Sequence, residues 1–432
     1  MSKEQHVHCI GVGGIGISAL ARHYLHEGWQ VSGSDLVETK NSQQLEAEGV
    51  AVTYEQTPEN IPAGDVAPDL VIYSDGVTKD TAGWGELEAA RAVGIETLSY
   101  FEALGKVAAD YYVIAIAGTH GKTTTTAMLA DILEEASFDP TVVVGSLRTK
   151  TGTNYRPGRS KYFVVEADEY LRHFLQFTPD VLVINNLDFD HPDYFTDLAD
   201  VQATFAELVA KVPEDGYVVA NTSDPNVAPV LKSTEATVVD YHECLNITRK
   251  MNVPGLHNRQ NAAAAEAAAQ ALMIEQSFID TALTHFVGTA RRFQYKGDVN
   301  GAPVYDDYAH NPEKVAAAIA GAREQYPDKH LVAVFQPHTY SRTKTLFSKF
   351  VTALRTADRV LLLPIFAARE EDDGSVSSEM LRDALIEEGV AVELLYTEAA
   401  AALAVEESVS KDDVVLCVGA GSVTKVADIL TE

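Results

Sequence analysis

The 432-residue sequence predicts an α/β chain of three domains. Short apolar runs rich in β-formers alternate with helical stretches along its length, the pattern of sheets joined by crossover helices. Two strand-turn-helix passages carry glycines where the chain turns, GVGGIG from Gly11 and GTHGKT from Gly118. At about 150 residues per domain the length asks for three cores. The order of motifs sets the boundaries at 1–106, 107–290 and 291–432.

Composition narrows the class of function. Hydrophobic residues make up 46% and charged residues 22%, enough to bury ordinary cores. With 33 Lys and Arg against 63 Asp and Glu, the formal net charge of −30 argues against nucleic acid or an anionic membrane as main partner. An anionic ligand must then be held by local positive groups. The apolar runs are too short and interrupted for a spanning helix, and the start MSKEQHVHC lacks the blocks of a secretory signal, so a cytoplasmic protein is expected. Cys9, Cys244 and Cys417 are odd in number and without CxxC spacing, and read as buried small apolar residues.

In the first segment the strand HVHCI runs into Gly11, Gly13 and Gly16, a GxGxxG turn before a helix. Gly13, Gly14, Ile15 and Gly16 are candidate ligand contacts, and Asp35, about twenty residues on at the end of WQVSGSD, is placed as a ribose-binding acid would be. The strand DLVIYSDGV brings Ser74 to the same edge. The glycine pattern by itself equally fits close helix-to-strand packing or an NAD site.

The second segment carries the chemistry. Tyr111 to Ala117 reads as a buried strand, and Gly118, Thr119, His120, Gly121, Lys122, Thr123 and Thr124 as a short phosphate loop opening a helix. It is a variant, because Ile116 stands where the general pattern has its first glycine. Lys122 would reach β- and γ-phosphates and the Thr123 hydroxyl would ligate Mg2+. Later strands end in KYFVVEADEY, with Glu166 and Asp168, and VLVINNLDFDHPDYF, with Asn185, Asp188, Asp190 and His191. In a parallel sheet these ends share the edge of the phosphate loop. Asp193 and Asp197 read instead as caps and turn residues. His257, Asn258 and Asn261 open an Ala-rich helix, where the asparagines suit either helix capping or a purine.

From APVYDDYAHNP onward, strands and helices alternate again as a third, doubly wound domain, with EEDDGS as a solvated loop. Taken together, GVGGIG with SGSD, GTHGKTTT, EADEY, NNLDFDHPD, GLHNRQNAAAA, GTARRF, DDYAHNP and FQPHTYSRT resemble the ATP-dependent Mur ligases of bacterial cell-wall synthesis. The resemblance covers nearly the whole chain. It implies a Rossmann-like N-terminal domain for the UDP-sugar, a central P-loop ATPase domain and a Rossmann-like C-terminal domain for the amino acid. The implied reaction joins L-alanine to the carboxylate of UDP-N-acetylmuramate through an acyl phosphate, using ATP and Mg2+, in a monomer or homodimer. Lys122 is the implied loop lysine; Thr123, Glu166 and His191 are the implied metal ligands. Asn261, Arg292 and Asp307 match positions that hold ATP, and His338 and Arg342 lie in the motif facing the amino acid.

The sequence also departs from that pattern. Asn311 replaces the second histidine of the usual DDYxHHP, and Leu171 and Arg172 follow EADEY where an aspartate is common. No lysine lies between His191 and Lys211, so the carbamylated lysine of sister ligases has no counterpart, as in the L-alanine branch. Other readings stay open: a ligase recycling a whole tripeptide onto the same sugar acid, and a non-catalytic regulator sensing UDP-sugar and ATP. A folylpolyglutamate-type ligase is disfavoured by the N-terminal GVGGIG domain.

Overall fold

The computed structural model describes residues 5–191, 194–368 and 370–432. Its contacts separate two compact units: the chain up to Leu245 with Asn261–Leu283, and Asn246–Gln260 with Thr284–Glu432. Among the described residues no helix is long and apolar enough to cross a membrane.

The first unit holds two sheets. Strands β1 (His6–Ile10), β2 (Gln30–Ser34), β3 (Ala51–Thr53), β4 (Leu70–Tyr73) and β5 (Glu96–Ser99) form a parallel sheet in the order β3-β2-β1-β4-β5. The order reverses between β1 and β4, and at such a point the strand ends open a crevice. Helices α1 (Ile15–His26), α2 (Lys40–Glu48), α3 (Gly83–Ala92) and α4 (Tyr100–Ala108) accompany it. Thr39 with Ser42, and Ser99 with Glu102, form capping boxes that start α2 and α4.

The second sheet is built from β6 (Tyr112–Ala117), β7 (Thr141–Val143), β8 (Tyr155–Arg156), β9 (Tyr162–Glu166), β10 (Val181–Ile184), β11 (Tyr217–Ala220) and β12 (Thr237–Asp240), in the order β12-β11-β10-β6-β9-β7-β8. Strand β6 is central, and Val113 to Ala117 are all buried, which explains their unbroken apolar run. Helix α5 (Lys122–Glu135) leaves the phosphate loop; α6 (Leu198–Val209), α7 (Leu256–Ala271) and α8 (Gln276–His285) follow. Asp197 caps α6 by accepting the Asp200 N–H at 2.9 Å, as expected for a capping residue; Asp193 lies outside the described residues.

In the second unit, β13 (Gln294–Val299), β14 (Ala302–Asp307), β15 (His330–Phe335), β16 (Arg359–Leu362), β17 (Ala391–Leu394) and β18 (Asp413–Val418) order as β13-β14-β18-β15-β16-β17. The helices are α9 (Pro312–Gln325), α10 (Tyr340–Thr345), α11 (Phe347–Leu354), α12 (Ser378–Glu387), α13 (Glu398–Ser408) and α14 (Thr424–Thr431). Along β15, Leu331, Ala333 and Phe335 enter one core while Val332 and Val334 enter the other, so both faces are covered.

Two expectations need correction. The second and third sheets are mixed, because β8 pairs antiparallel with β7 and β13 antiparallel with β14. Cys9 and Cys417 are buried, but Cys244 is partly exposed beside Gln270, since the segment after β12 is a surface turn.

Candidate active site

The phosphate loop takes its shape from two glycines and a floor of asparagines. Gly118 (φ 126°) and Gly121 (φ 86°) adopt backbone that L side chains rarely enter. A Cβ on Gly121 would collide with the side chains of Asn261 and Asn185. Beneath the loop, Asn185 Nδ2 donates to Thr125 Oγ1 at 2.8 Å, to the His120 carbonyl at 3.2 Å and to Asn261 Oδ1 at 3.3 Å. Asn186 Oδ1 accepts the His120 N–H at 2.8 Å, and Thr119 Oγ1 accepts the Asp188 N–H at 2.9 Å. Asn261 therefore supports the loop from within α7 rather than capping it, while Asn258 donates to the Pro254 carbonyl. Thr124 is buried on α5.

The acidic strand ends meet this loop. Glu166 closes β9 and accepts from Thr123 Oγ1 at 2.9 Å and from the Gly145 N–H at 2.7 Å. Lys122 Nζ donates to the Gly118 carbonyl at 2.8 Å and to Glu169 Oε2 at 2.6 Å. That ion pair is deep, with side chains 13% and 3% exposed. Burial works to lower the Lys122 pKa, but Glu169, Asp168 and Glu166 outweigh it and hold the ammonium above its ordinary value. His191 stands with Nε2 3.8 Å from Glu169 Oε1 and its ring 4.8 Å from Tyr170.

The donor set fits Mg2+. Thr123 Oγ1 and Glu166 offer adjacent hard oxygens, and Glu169 Oε1 is buried without a hydrogen-bond partner among the described residues. No three His, Cys, Asp or Glu side chains among the described residues form a ready cage. Mg2+ takes one or two carboxylates and fills its shell with water and substrate phosphates, so a full cage is not needed.

At the first sheet, Asp35 is turned inward: Oδ2 accepts the Gly13 N–H at 2.9 Å and Oδ1 the Leu36 N–H at 2.7 Å. It braces the glycine turn from the position expected to receive a ribose. Gly16 serves packing, because a Cβ there would come within 2.9 Å of the Tyr100 ring. Gly14 precedes α1, Ile15 is exposed at its first turn, and Ser74 lies beside Gly11 in the crevice between β1 and β4. Asn41 donates to the Gly13 carbonyl at 2.9 Å and Asn154 to the Ile15 carbonyl, tying the turn to α2 and the second sheet.

The second unit gathers its own polar cluster at the carboxyl ends of β14 and β15. Asp307 accepts the Phe293 and Ala309 N–H groups, each at 2.8 Å, and the Arg292 guanidinium lies 5.4 Å from the Tyr308 ring centroid. His338 stacks on Phe366 at 5.6 Å and meets Arg342 Nη1 at 3.2 Å through Nδ1. Arg342 can only donate, so His338 accepts there and carries its proton on Nε2. One arm of the arginine fork is thus already engaged. Thr339 between them holds φ 63°, with its N–H bonded to the Phe366 carbonyl at 2.9 Å. Glu370, read from sequence as part of a solvated loop, accepts the Ser341 N–H and hydroxyl at 2.8 and 2.5 Å.

Sequence reasoning missed Glu169 and His173. Glu169 is the third acid of EADEY, and its proximity to Glu166 was the available signal.

Comparison with known proteins agrees with this geometry. Three family models match in order: the Mur ligase family catalytic domain over residues 6–112, the Mur ligase middle domain over 116–246, and the Mur ligase glutamate ligase domain over 291–421. The chain is 36% identical to a UDP-N-acetylmuramate--L-alanine ligase of Caldanaerobacter subterraneus, covering 100% of this chain and 98% of the relative. It superposes on a UDP-N-acetylmuramate-alanine ligase from Thermotoga maritima with TM-score 0.81 at 27% identity, over 99% of this chain and 98% of that one. A murein peptide ligase from Psychrobacter arcticus shares the fold with TM-score 0.69 at 24% identity, over 99% and 98% of the two chains. With matching models in each of its three sheets and relatives aligned from end to end, the chain belongs to the Mur ligase family.

Proposed function

We infer that the protein is an ATP-dependent ligase that joins L-alanine to the carboxylate of UDP-N-acetylmuramate, through an acyl phosphate, in peptidoglycan precursor synthesis. The observation that carries this reading is the phosphate loop itself. Lys122, Thr123 and Glu166 lie together at the start of α5, as a phosphate and cation site requires, in a chain aligned over its full length with relatives named for that reaction.

Residues 1–106 are assigned to the UDP-sugar, with Gly13, Gly14, Ile15, Gly16, Asp35 and Ser74 around it. Residues 107–290 are assigned to ATP, with Gly118 to Thr124 and Asn261. Residues 291–432 are assigned to the amino acid through His338 and Arg342, with Arg292 and Asp307 as further nucleotide contacts. A carboxylate attacking a γ-phosphate brings anions together, so positive groups must neutralise charge as it spreads over the phosphoryl oxygens. Lys122 supplies one such charge from the start of α5, whose free N–H groups face the same anion. Thr123, Glu166 and His191 are the residues assigned to Mg2+, which when bound supplies the remaining charge neutralisation. The planar guanidinium of Arg342 suits the carboxylate of a small amino acid. A cytoplasmic location goes with this reading, because activated sugar nucleotides and ATP are available there.

The test is phosphate release with UDP-N-acetylmuramate, ATP and Mg2+ and each amino acid in turn, with the alanyl product identified by mass. The recycled tripeptide serves as the competing acceptor. Turnover with the tripeptide and none with L-alanine would overturn the assignment, and binding without turnover would make the protein a sensor.

A further inference from the structure

His173 joins the ligand edges of the first two sheets. Its ring stacks on Phe101 of α4, with centroids 3.9 Å and planes 14° apart. Nε2 lies 3.6 Å from Asp75 Oδ2, and Nδ1 lies 3.8 Å from Asp168 Oδ2. Asp75 follows Ser74 beyond β4, in the crevice where the first sheet changes direction. Asp168 lies between Glu166, which holds Thr123, and Glu169, which holds Lys122. The imidazole thus stands between the glycine turn and the phosphate loop.

The backbone is strained where it delivers this ring. Leu171 (φ 49°, ψ 21°) and Arg172 (φ 62°, ψ 25°) are consecutive left-handed residues, a conformation costing non-glycine residues roughly 1–2 kcal/mol each. Anchors on both sides offset the cost. Arg172 donates to Glu207 at 2.5 Å and Thr204 at 3.2 Å, and Phe174 is buried edge-on against Phe205 at 4.9 Å. Without the ring of His173 between them, Asp75 and Asp168 would face each other directly as like charges. The contacts to His173 are longer than hydrogen bonds, so the ring adjusts to either side.

We propose that His173 is a positioning residue which, through Asp75, sets the sugar-binding edge of the first sheet against the phosphate loop, so that the acceptor carboxylate is presented to the γ-phosphate. This rests on the ligase reading above. Because Asp75 touches no part of the phosphate loop among the contacts described, the effect is directed at the UDP-sugar rather than at ATP.

The test is a double-mutant cycle in the full chain, His173→Ala, Asp75→Asn and both together, with UDP-N-acetylmuramate, ATP and L-alanine as substrates and thermal melts to verify folding. Each single change should lower kcat/KM for the UDP-sugar about tenfold or more, with the KM for ATP within about twofold. The double variant should be no worse than His173→Ala, and His173→Gln, which keeps a donor at similar reach, should recover part of the loss. Additive effects, equal changes in both substrates' constants, or unchanged kinetics would each overturn the proposal. Product formation by the unmodified protein tests the ligase reading separately. If no product forms, calorimetric binding of UDP-N-acetylmuramate reads the same cycle, and failure of the unmodified protein to bind it sinks both.

Discussion

Single side chains carry the sharpest expectations. Lys122 sits with its ammonium on the Gly118 carbonyl and Glu169, and the proposed function gives it the transferred phosphate. Lys122→Ala should therefore lower kcat by about a hundredfold or more, the equivalent of about 3 kcal/mol of transition-state stabilisation. Near-normal turnover in a folded variant would show that the loop does not bind the transferred phosphate. His310 makes a pH prediction. Burial pushes its pKa from 6.5 down to about 3, with Lys314, Arg342 and His338 adding to the shift and its contact with the Tyr308 carbonyl opposing it. The unfolded chain then takes up a proton that the folded chain refuses, so this group costs nothing above pH 6.5 and destabilises progressively as the pH falls toward about 3. Urea midpoints at about pH 7.5 and 5 should separate more for the native sequence than for His310→Gln. Equal separations would mean that His310 takes up its proton in the fold as readily as in the unfolded chain.

Elements show what the sequence could and could not reveal. The passage from β6 through the loop to α5 was legible because everything it needs is local: buried β-formers, two glycines at positive φ and a lysine at the helix start. Asn311, which departs from the family pattern, is explained by its helix. Its side chain accepts the Lys314 N–H at 2.9 Å and Pro312 follows at the first helical position, so it starts α9. Asn311→Ala should cost about 1 kcal/mol in chemical denaturation; no change in midpoint would show that the cap is not used in solution. The antiparallel strands β8 and β13 were not legible, because pairing direction depends on partners outside the segment. The same reason hid Glu169 and His173. Asp35 has a role that its spacing did not reveal: beside the ribose-binding position expected of it, its oxygens accept the Gly13 and Leu36 N–H groups and brace the glycine turn.

At the scale of the whole molecule, a formal charge of −30 means that the folded chain repels itself. Added salt screens that repulsion over about 10 Å at 0.1 M, so the thermal midpoint should rise between low salt and about 0.5 M sodium chloride. A falling midpoint would mean that ion pairs such as Lys122 with Glu169 outweigh the net repulsion. That same pair has a consequence for how long ligands stay. The loop cation is answered by a carboxylate of the chain itself, so an inorganic anion must compete with Glu169 for it. On the proposed function, a nucleotide displaces Glu169 with several contacts at once, and when its phosphates are reduced in number after turnover, the carboxylate is at hand to reclaim the ammonium. On that reading the Lys122–Glu169 pair favours short residence of spent nucleotide.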